Sequence, residues 1–176
     1  MMSEIILSIR DLRVTFDTPL GPLEAVRGVD LDVHAGEMMG VVGESGSGKS
    51  VTFLAAMGLL PHQAKVSGSV MLNGQEMLGA SNKVLRNMRG GLMSMIFQDP
   101  LSALNPVHRV GDQIVEMLKA HQPKLSDKDA AKRAVELLDI VGIPQAAERA
   151  HQYRHEFSGG MRQRVVIANA IANNPK

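Results

Sequence analysis

The sequence contains no cysteine and no tryptophan, and its aromatics are one tyrosine and four phenylalanines among 176 residues. Without thiols, these residues cannot build a disulfide framework, a zinc–thiolate site or a cysteine nucleophile, and they are compatible with a reducing compartment. Long apolar runs are missing as well. The longest, Val51 to Pro61, falls well short of the roughly 20 residues that cross a bilayer. Glu4 precedes the apolar residues of the amino terminus where a secretory signal would carry a basic leader, so no such signal is expected. Nor is there an excess of charge: 19 Lys and Arg face 18 Asp and Glu, a net of +1. That balance gives no electrostatic reason to expect nucleic acid or an acidic partner, so any role for charge is local. What the chain does have is 44% hydrophobic and 21% charged residues with 12 methionines, the composition of a globular core filled in part by flexible side chains.

The first third reads as short strands and turns. Ile5 to Ile9 and Leu12 to Phe16 are β-rich, and Thr18-Pro19-Leu20-Gly21-Pro22 is a turn cluster. Val29-Asp30-Leu31-Asp32-Val33 alternates at period two, predicting one buried and one wet face. After His34-Ala35-Gly36, the run Met38 to Val42 is apolar without alternation, as in a central strand covered on both faces. Ser50 to Leu60 predicts a helix of about three turns stopped by Pro61. Ser69 to Leu72 with Asn73-Gly74 predicts a strand entering a tight turn, and Leu92 to Phe97 a further strand.

Beyond Pro106 the pattern turns helical. Val110, Ile114, Val115 and Leu118 form one stripe up to His121. Ser126 and Asp129 have capping-box spacing, and Ala131, Ala134, Val135, Leu138 and Val141 follow at helical intervals to Gly142 and Pro144. A last helix is expected from near Ser158 to Ala172. The expected organisation is a β-rich and phosphate-loop core at 1–110, a helical subdomain at 111–157, and a final helical segment at 158–176.

The strongest chemical signal is Gly43-Glu44-Ser45-Gly46-Ser47-Gly48-Lys49-Ser50, a full match to G-x-x-x-x-G-K-[ST]. A Gly/Ser-rich connector would match it by chance on the order of once in a hundred chains of this length. The flanking apolar run and helix make phosphate binding the better reading. Glycines let successive N–H groups turn inward as an anion nest, and the following helix adds its positive end. Lys49 would reach the β and γ phosphates as a point charge, and the Ser50 hydroxyl would be a ligand of Mg²⁺. The pattern does not choose among kinases, GTPases and ATPases.

Phe157-Ser158-Gly159-Gly160-Met161-Arg162-Gln163-Arg164 places a serine and two glycines at a second helix start. By themselves these residues fit either an exposed set of N–H groups or a capped start whose glycines allow close packing. Together with the phosphate loop, however, FSGGMRQR resembles the signature sequence of ATP-binding-cassette (ABC) ATPases, with Met161 where many members carry Gln. Between the two motifs lies Phe97-Gln98-Asp99-Pro100-Leu101-Ser102-Ala103-Leu104-Asn105-Pro106, whose Gln98 resembles the family's Q-loop glutamine at a strand end. The wording QDPLSALNP, with TPLGPLEAV and HEFSGGMRQR, is similar to the oligopeptide, dipeptide and nickel importer subfamily from about Ile6 to Lys176. Arg154 departs from it, standing where proline is common.

The resemblance implies an α/β P-loop NTPase of the ABC ATPase type, with an N-terminal antiparallel β portion and a helical subdomain, C-terminally incomplete. ATP and Mg²⁺ are the implied cofactors. In such a protein Phe16 would stack on adenine, although a buried strand residue is the alternative. The loop Gly43 to Ser50 would grip the phosphates, with Lys49 and Gln98 in catalysis and Ser50 and Gln98 on Mg²⁺. Ser158, Gly159 and Gly160 would close over the ATP of a partner subunit. Implied partners are a second ABC ATPase subunit, identical or a paralogue, two membrane permease subunits and, indirectly, an extracytoplasmic solute-binding protein. The implied place is the cytoplasmic face of the cell's inner membrane, as a peripheral protein. Family members carry their catalytic carboxylates after the signature, in an apolar strand ending Asp-Glu. No four apolar residues followed by Asp-Glu occur here; Leu137-Leu138-Asp139 comes nearest, with helical periodicity. The expectation is therefore a piece of a longer ATPase that binds nucleotide without efficient hydrolysis. Two alternatives are a soluble cassette ATPase of DNA repair or translation and a nucleotide-sensing module without turnover. His151 and His155 lie i, i+4, but Gly159 stands where a further histidine would be needed for a zinc helix, so no zinc site is expected. Arg162 and Arg164 are expected to pair or solvate on the last helix.

Overall fold

Residues 7, 9, 12 and 14 are all buried apolar side chains, although a regular strand would send 9 and 12 to opposite faces. A bulge reconciles them. In the computed structural model, which describes residues 4–99 and 103–175, the two short strands expected at the amino terminus are one strand, β1 (Ile5–Thr18), whose register shifts between Ile9 and Leu12. The extra residue resets the alternation so that both halves face one core. Asp11 takes a positive φ of 40°, and the neighbouring strands carry glycines beside it: Gly28 (φ 91°) in β2 (Gly21–His34) and Gly68 (φ 106°) in β3 (Ala64–Leu72). A Cβ on Gly68 would stand 2.5 Å from the Asp11 carbonyl oxygen, so the strands close up at this level only without one.

The sheet is antiparallel throughout, in the order β2-β1-β3-β4, with β4 at Gln75–Glu76. Its two hairpin turns fall where turn residues are expected: Pro19-Leu20 joins β1 to β2, and Asn73-Gly74, both at positive φ, joins β3 to β4. The 29–33 stretch does not bury one face fully. It belongs to an edge strand, in which only Val26 is buried. Two expected strands are not formed. Residues 38–42 are irregular, with Met38 98% and Val42 93% exposed, and 92–97 contribute only a bridge between Arg89 and Met93. Among the described residues no strand hydrogen-bonds to either, and an apolar run becomes a central strand only between neighbours.

Helix α1 (Lys49–Ala56) is two turns long, shorter than expected, because Gly58 at φ 63° ends it. Gly58 N–H donates to Ala55 and Leu59 N–H to Leu54, the paired bonds of a Schellman cap. A short α2 (Asn82–Met88) follows.

Val110–His121 forms α3 as expected, burying Val110, Ile114 and Leu118. In α4 (Asp127–Ile140) Ser126 caps the start, accepting from Asp129 N–H at 3.1 Å. Its buried stripe runs through Ala130, Ala134, Leu137 and Leu138, so Ala131 is exposed, one position off the expected face. The short α5 (Ala146–Arg149), a 3-10 turn (Arg154–Glu156) and α6 (Gly159–Ile171) complete the fold. The chain divides into two compact units, Met1–Leu85 and Arg86–Lys176. A single apolar cluster from Leu104 to Ala172 gives the second its core. No helix among the described residues is long and apolar enough to cross a membrane.

Candidate functional site

In the first unit, the loop Gly43–Ser50 takes its shape from two glycines that occupy left-handed backbone, Gly46 (φ 81°) and Gly48 (φ 92°). Gly48 is the N-cap of α1 and sits against β2: a Cβ there would lie 2.6 Å from the Ala25 carbonyl oxygen. Thr52, buried, holds the same turn from inside by donating its hydroxyl to the Gly48 carbonyl at 3.0 Å. Gly48 has no side chain to cap the helix, and among the described residues no side chain accepts from its first N–H groups. The Lys49 ammonium folds over the loop and donates to the carbonyls of Gly43 and Glu44, each at 2.7 Å, and to Ser47 Oγ at 3.2 Å. All three acceptors are neutral. Among the described residues no carboxylate pairs with Lys49, so its positive charge stays in a solvent-open loop. Gly43, Glu44, Ser45, Gly46, Ser47 and Ser50 are exposed. This is a surface that suits an anion. Phe16 lies half-buried near the end of β1, between Leu23 and Ala64 of the flanking strands.

The second unit carries the other expected residues. Gln98 is exposed in a bend; the strand it was expected to terminate is absent. Pro100, Leu101 and Ser102 of the QDPLSALNP stretch lie outside the described residues. Ser158 caps α6, accepting from Met161 N–H at 3.3 Å. Ser158, Gly159 and Gly160 are exposed, and a Cβ on either glycine would meet nothing within 4 Å. Close packing within the described chain therefore does not explain these glycines. What they leave open is an unobstructed helix start. Arg162 and Arg164 turn to backbone: Arg162 Nε donates to the Arg154 carbonyl at 2.8 Å, and Arg164 donates to that of Gly142. His151 and His155 are exposed, His155 stacking on Tyr153 at 5.7 Å, and no cluster of metal-binding side chains occurs among the described residues.

Several residues that shape these sites were not singled out in the sequence. Thr52 and Ala25 seat the loop through contacts invisible to a motif. Gln113 is similar. Its side chain accepts from Asn105 N–H at 2.9 Å and donates to the carbonyls of Asn105 and His108, each at 3.1 Å, fixing the segment beyond Gln98. A glutamine on a helix gives no sequence signal for that role.

A family model described as ABC transporter matches residues 26–176, the loop and the FSGGMRQR helix included. The chain belongs to that family. Its similarity to named relatives is high: 53% identity over 170 residues to the oligopeptide transport ATP-binding protein OppD of Mycobacterium tuberculosis, and 47% over 174 residues to that of Escherichia coli. These alignments take in 97% and 99% of this chain, but 28% and 51% of the relatives. The chain thus spans about half, or less, of the curated relatives it matches. Among solved structures, it is similar to the dimeric ATP-binding cassette MJ0796 in a post-hydrolysis state bound to ADP and Pi, with a TM-score of 0.82 over 96% of this chain and 70% of that one. At 24% identity this likeness concerns the fold. A second is cbiO1 of Clostridium perfringens, part of the ABC transporter complex cbiONQ, with a TM-score of 0.74 and 26% identity, covering 98% of this chain and 63% of that one. The fold of this ABC family chain is accordingly that of an α/β P-loop cassette.

Proposed function

We propose that this chain is the ATP-binding part of an ABC importer, in which ATP binding and hydrolysis drive uptake of oligopeptides, dipeptides or a related small solute such as nickel. The observation that carries the reading is the Lys49 ammonium, held by neutral loop oxygens in a glycine-built nest open to solvent. A phosphate can take over those donors and gains the helix N–H groups in addition. Lys49 would bind the β and γ phosphates, with the N–H groups of Gly43 to Ser50 around them. Mg²⁺, when bound, supplies charge neutralisation at the transferred phosphoryl group. The Ser50 hydroxyl and the Gln98 amide oxygen are its proposed ligands. Phe16 offers a π face to adenine. Ser158, Gly159 and Gly160 would serve the ATP of a second ATPase subunit, their exposure leaving room for it. Two membrane permeases and an extracytoplasmic solute-binding protein complete the assembly, with this subunit peripheral at the cytoplasmic face.

These 176 residues contain no apolar run ending in Asp-Glu. A nucleotide-binding module without turnover is therefore the second reading for the chain taken alone. Calorimetric titration of the purified chain with ATP and Mg²⁺ tests the first step. Saturable binding weakened at least about tenfold in Lys49→Ala, roughly 1.4 kcal/mol, is expected. Equal affinity in the two proteins would overturn it. Phosphate release no faster than that of the variant supports the second reading, and clear excess release refutes it.

A further inference from the structure

Within the unit Arg86–Lys176, the short stretch Arg109–Gly111 pairs antiparallel with Ala150–Tyr153. Gly111 N–H donates to the Ala150 carbonyl at 2.8 Å, Val110 N–H donates to that of Gln152 at 2.9 Å, and Arg109 bridges to Tyr153. The seam requires glycine at its tight end, because a Cβ on Gly111 would lie 2.7 Å from the Ala150 oxygen. Beyond Tyr153 the ladder of backbone bonds gives way to a side chain. Arg154 Nη1 donates to the Leu104 carbonyl at 2.5 Å, across 50 positions of sequence. The carbonyl of Arg154 itself accepts from Arg162 Nε at 2.8 Å, in the first turn of α6. One residue is thus tied on one side to the segment that follows Gln98 and on the other to the helix that begins at Ser158.

Both ends of this link are anchored. Leu104 is buried in the apolar cluster, and Asn105 is held from both backbone groups by Gln113. Phe157, buried in the same cluster, and the bond from Tyr153 N–H to Glu156 at 2.7 Å brace the 3-10 turn. A displacement of the Leu104–Arg109 segment has little slack to absorb it before reaching Ser158. The rung itself depends on a donor-bearing side chain. Proline, which the subfamily resemblance favours at this position, cannot supply it.

We propose that Arg154 is a positioning residue that couples the segment following Gln98 to the Ser158-Gly159-Gly160 turn, so that order in one is transmitted to the other. The proposal deepens the function above, resting on it for what that turn faces. Hydrogen exchange of the 176-residue chain, measured without nucleotide, tests it. Arg154→Met keeps a long side chain and removes the donors. It should raise exchange about tenfold both in 104–109 and in 158–162, with α4 unchanged, and Arg154→Lys should restore protection at both places. Arg162→Met breaks only the second link, and should loosen 158–162 while leaving 104–109 protected. The proposal is overturned if Arg154→Met loosens only residues next to 154, if it loosens α4 equally, or if lysine fails to rescue. Failure of the wild-type chain to bind ATP would overturn the proposed function instead and leave this coupling intact.

Discussion

Gly46 and Gly48 share a left-handed backbone but not an environment, and the difference separates two costs that a motif treats as one. At Gly46 an added methyl group has open space, so Gly46→Ala carries only the conformational penalty, about 1–2 kcal/mol. At Gly48 the same methyl group would also meet the Ala25 carbonyl oxygen at 2.6 Å, a backbone atom that moves only with β2. Urea denaturation should show Gly48→Ala losing at least about 1 kcal/mol more than Gly46→Ala, through displacement of the loop and the start of α1. Equal losses would mean that β2 yields freely and does not seat the loop. The eight loop positions could be read from sequence because their chemistry is local: glycines for the turn, lysine for charge, serine for oxygen. Ala25, Thr52 and Gln113 could not, since their roles come from what the fold brings beside them.

Elements show the same divide between local and remote causes. The extent of α3 follows from its apolar spacing and that of α6 from the Ser158 cap, both contained within the segments themselves. The runs 38–42 and 92–97 have strand composition, yet strand structure needs partners, and no described residue pairs with them as strands. The β3–β4 hairpin shows how a partner fixes so short an element. Partial burial of Glu76 disfavours its charge. Ser69 Oγ–H and the N–H groups of Leu78, Val70 and Met77 outweigh that by donating to the carboxylate, holding its pKa below the ordinary glutamate value. A carboxyl depressed in the folded state stabilises it fully above the unfolded pKa, about 4.3, and loses that contribution as pH falls through the lower folded value. Protection of the Val70 and Met77 amides against hydrogen exchange, taken relative to the intrinsic rate at each pH, should therefore fall on acidification below about pH 4.3. Glu76→Gln should flatten this dependence and cost about 1–2 kcal/mol at neutral pH. An unchanged acid profile in the variant would assign the sensitivity to another group.

At the scale of the molecule, apolar surface is distributed unevenly. The helical unit gathers its apolar residues from Leu104 to Ala172 into one core, whereas in the strand-rich unit Met38 and Val42 lie almost wholly in solvent just before the phosphate loop. Isolated exposed apolar side chains are ordinary, but here Met38, Met39, Val41 and Val42 are consecutive but for Gly40, and their backbone is free of any strand. Such a stretch combines hydrophobic area with backbone groups able to form a ladder, the combination that draws chains together edge to edge. Self-association of the 176-residue chain through this stretch follows. Sedimentation equilibrium should reveal it as a mass rising with concentration. Val42→Asp places a charge where pairing would bury it, and should weaken the association at least about tenfold, or 1.4 kcal/mol. The substitution lies in the unit Met1–Leu85, whereas α3 and α4 have their core within the other unit, so their protection against hydrogen exchange should not change. A wild-type chain that stays monomeric across the concentration range and unfolds in one cooperative step would show that residues 38–42 are covered in solution. The run would then form the central strand that its composition suggests, supported by pairing within a single chain.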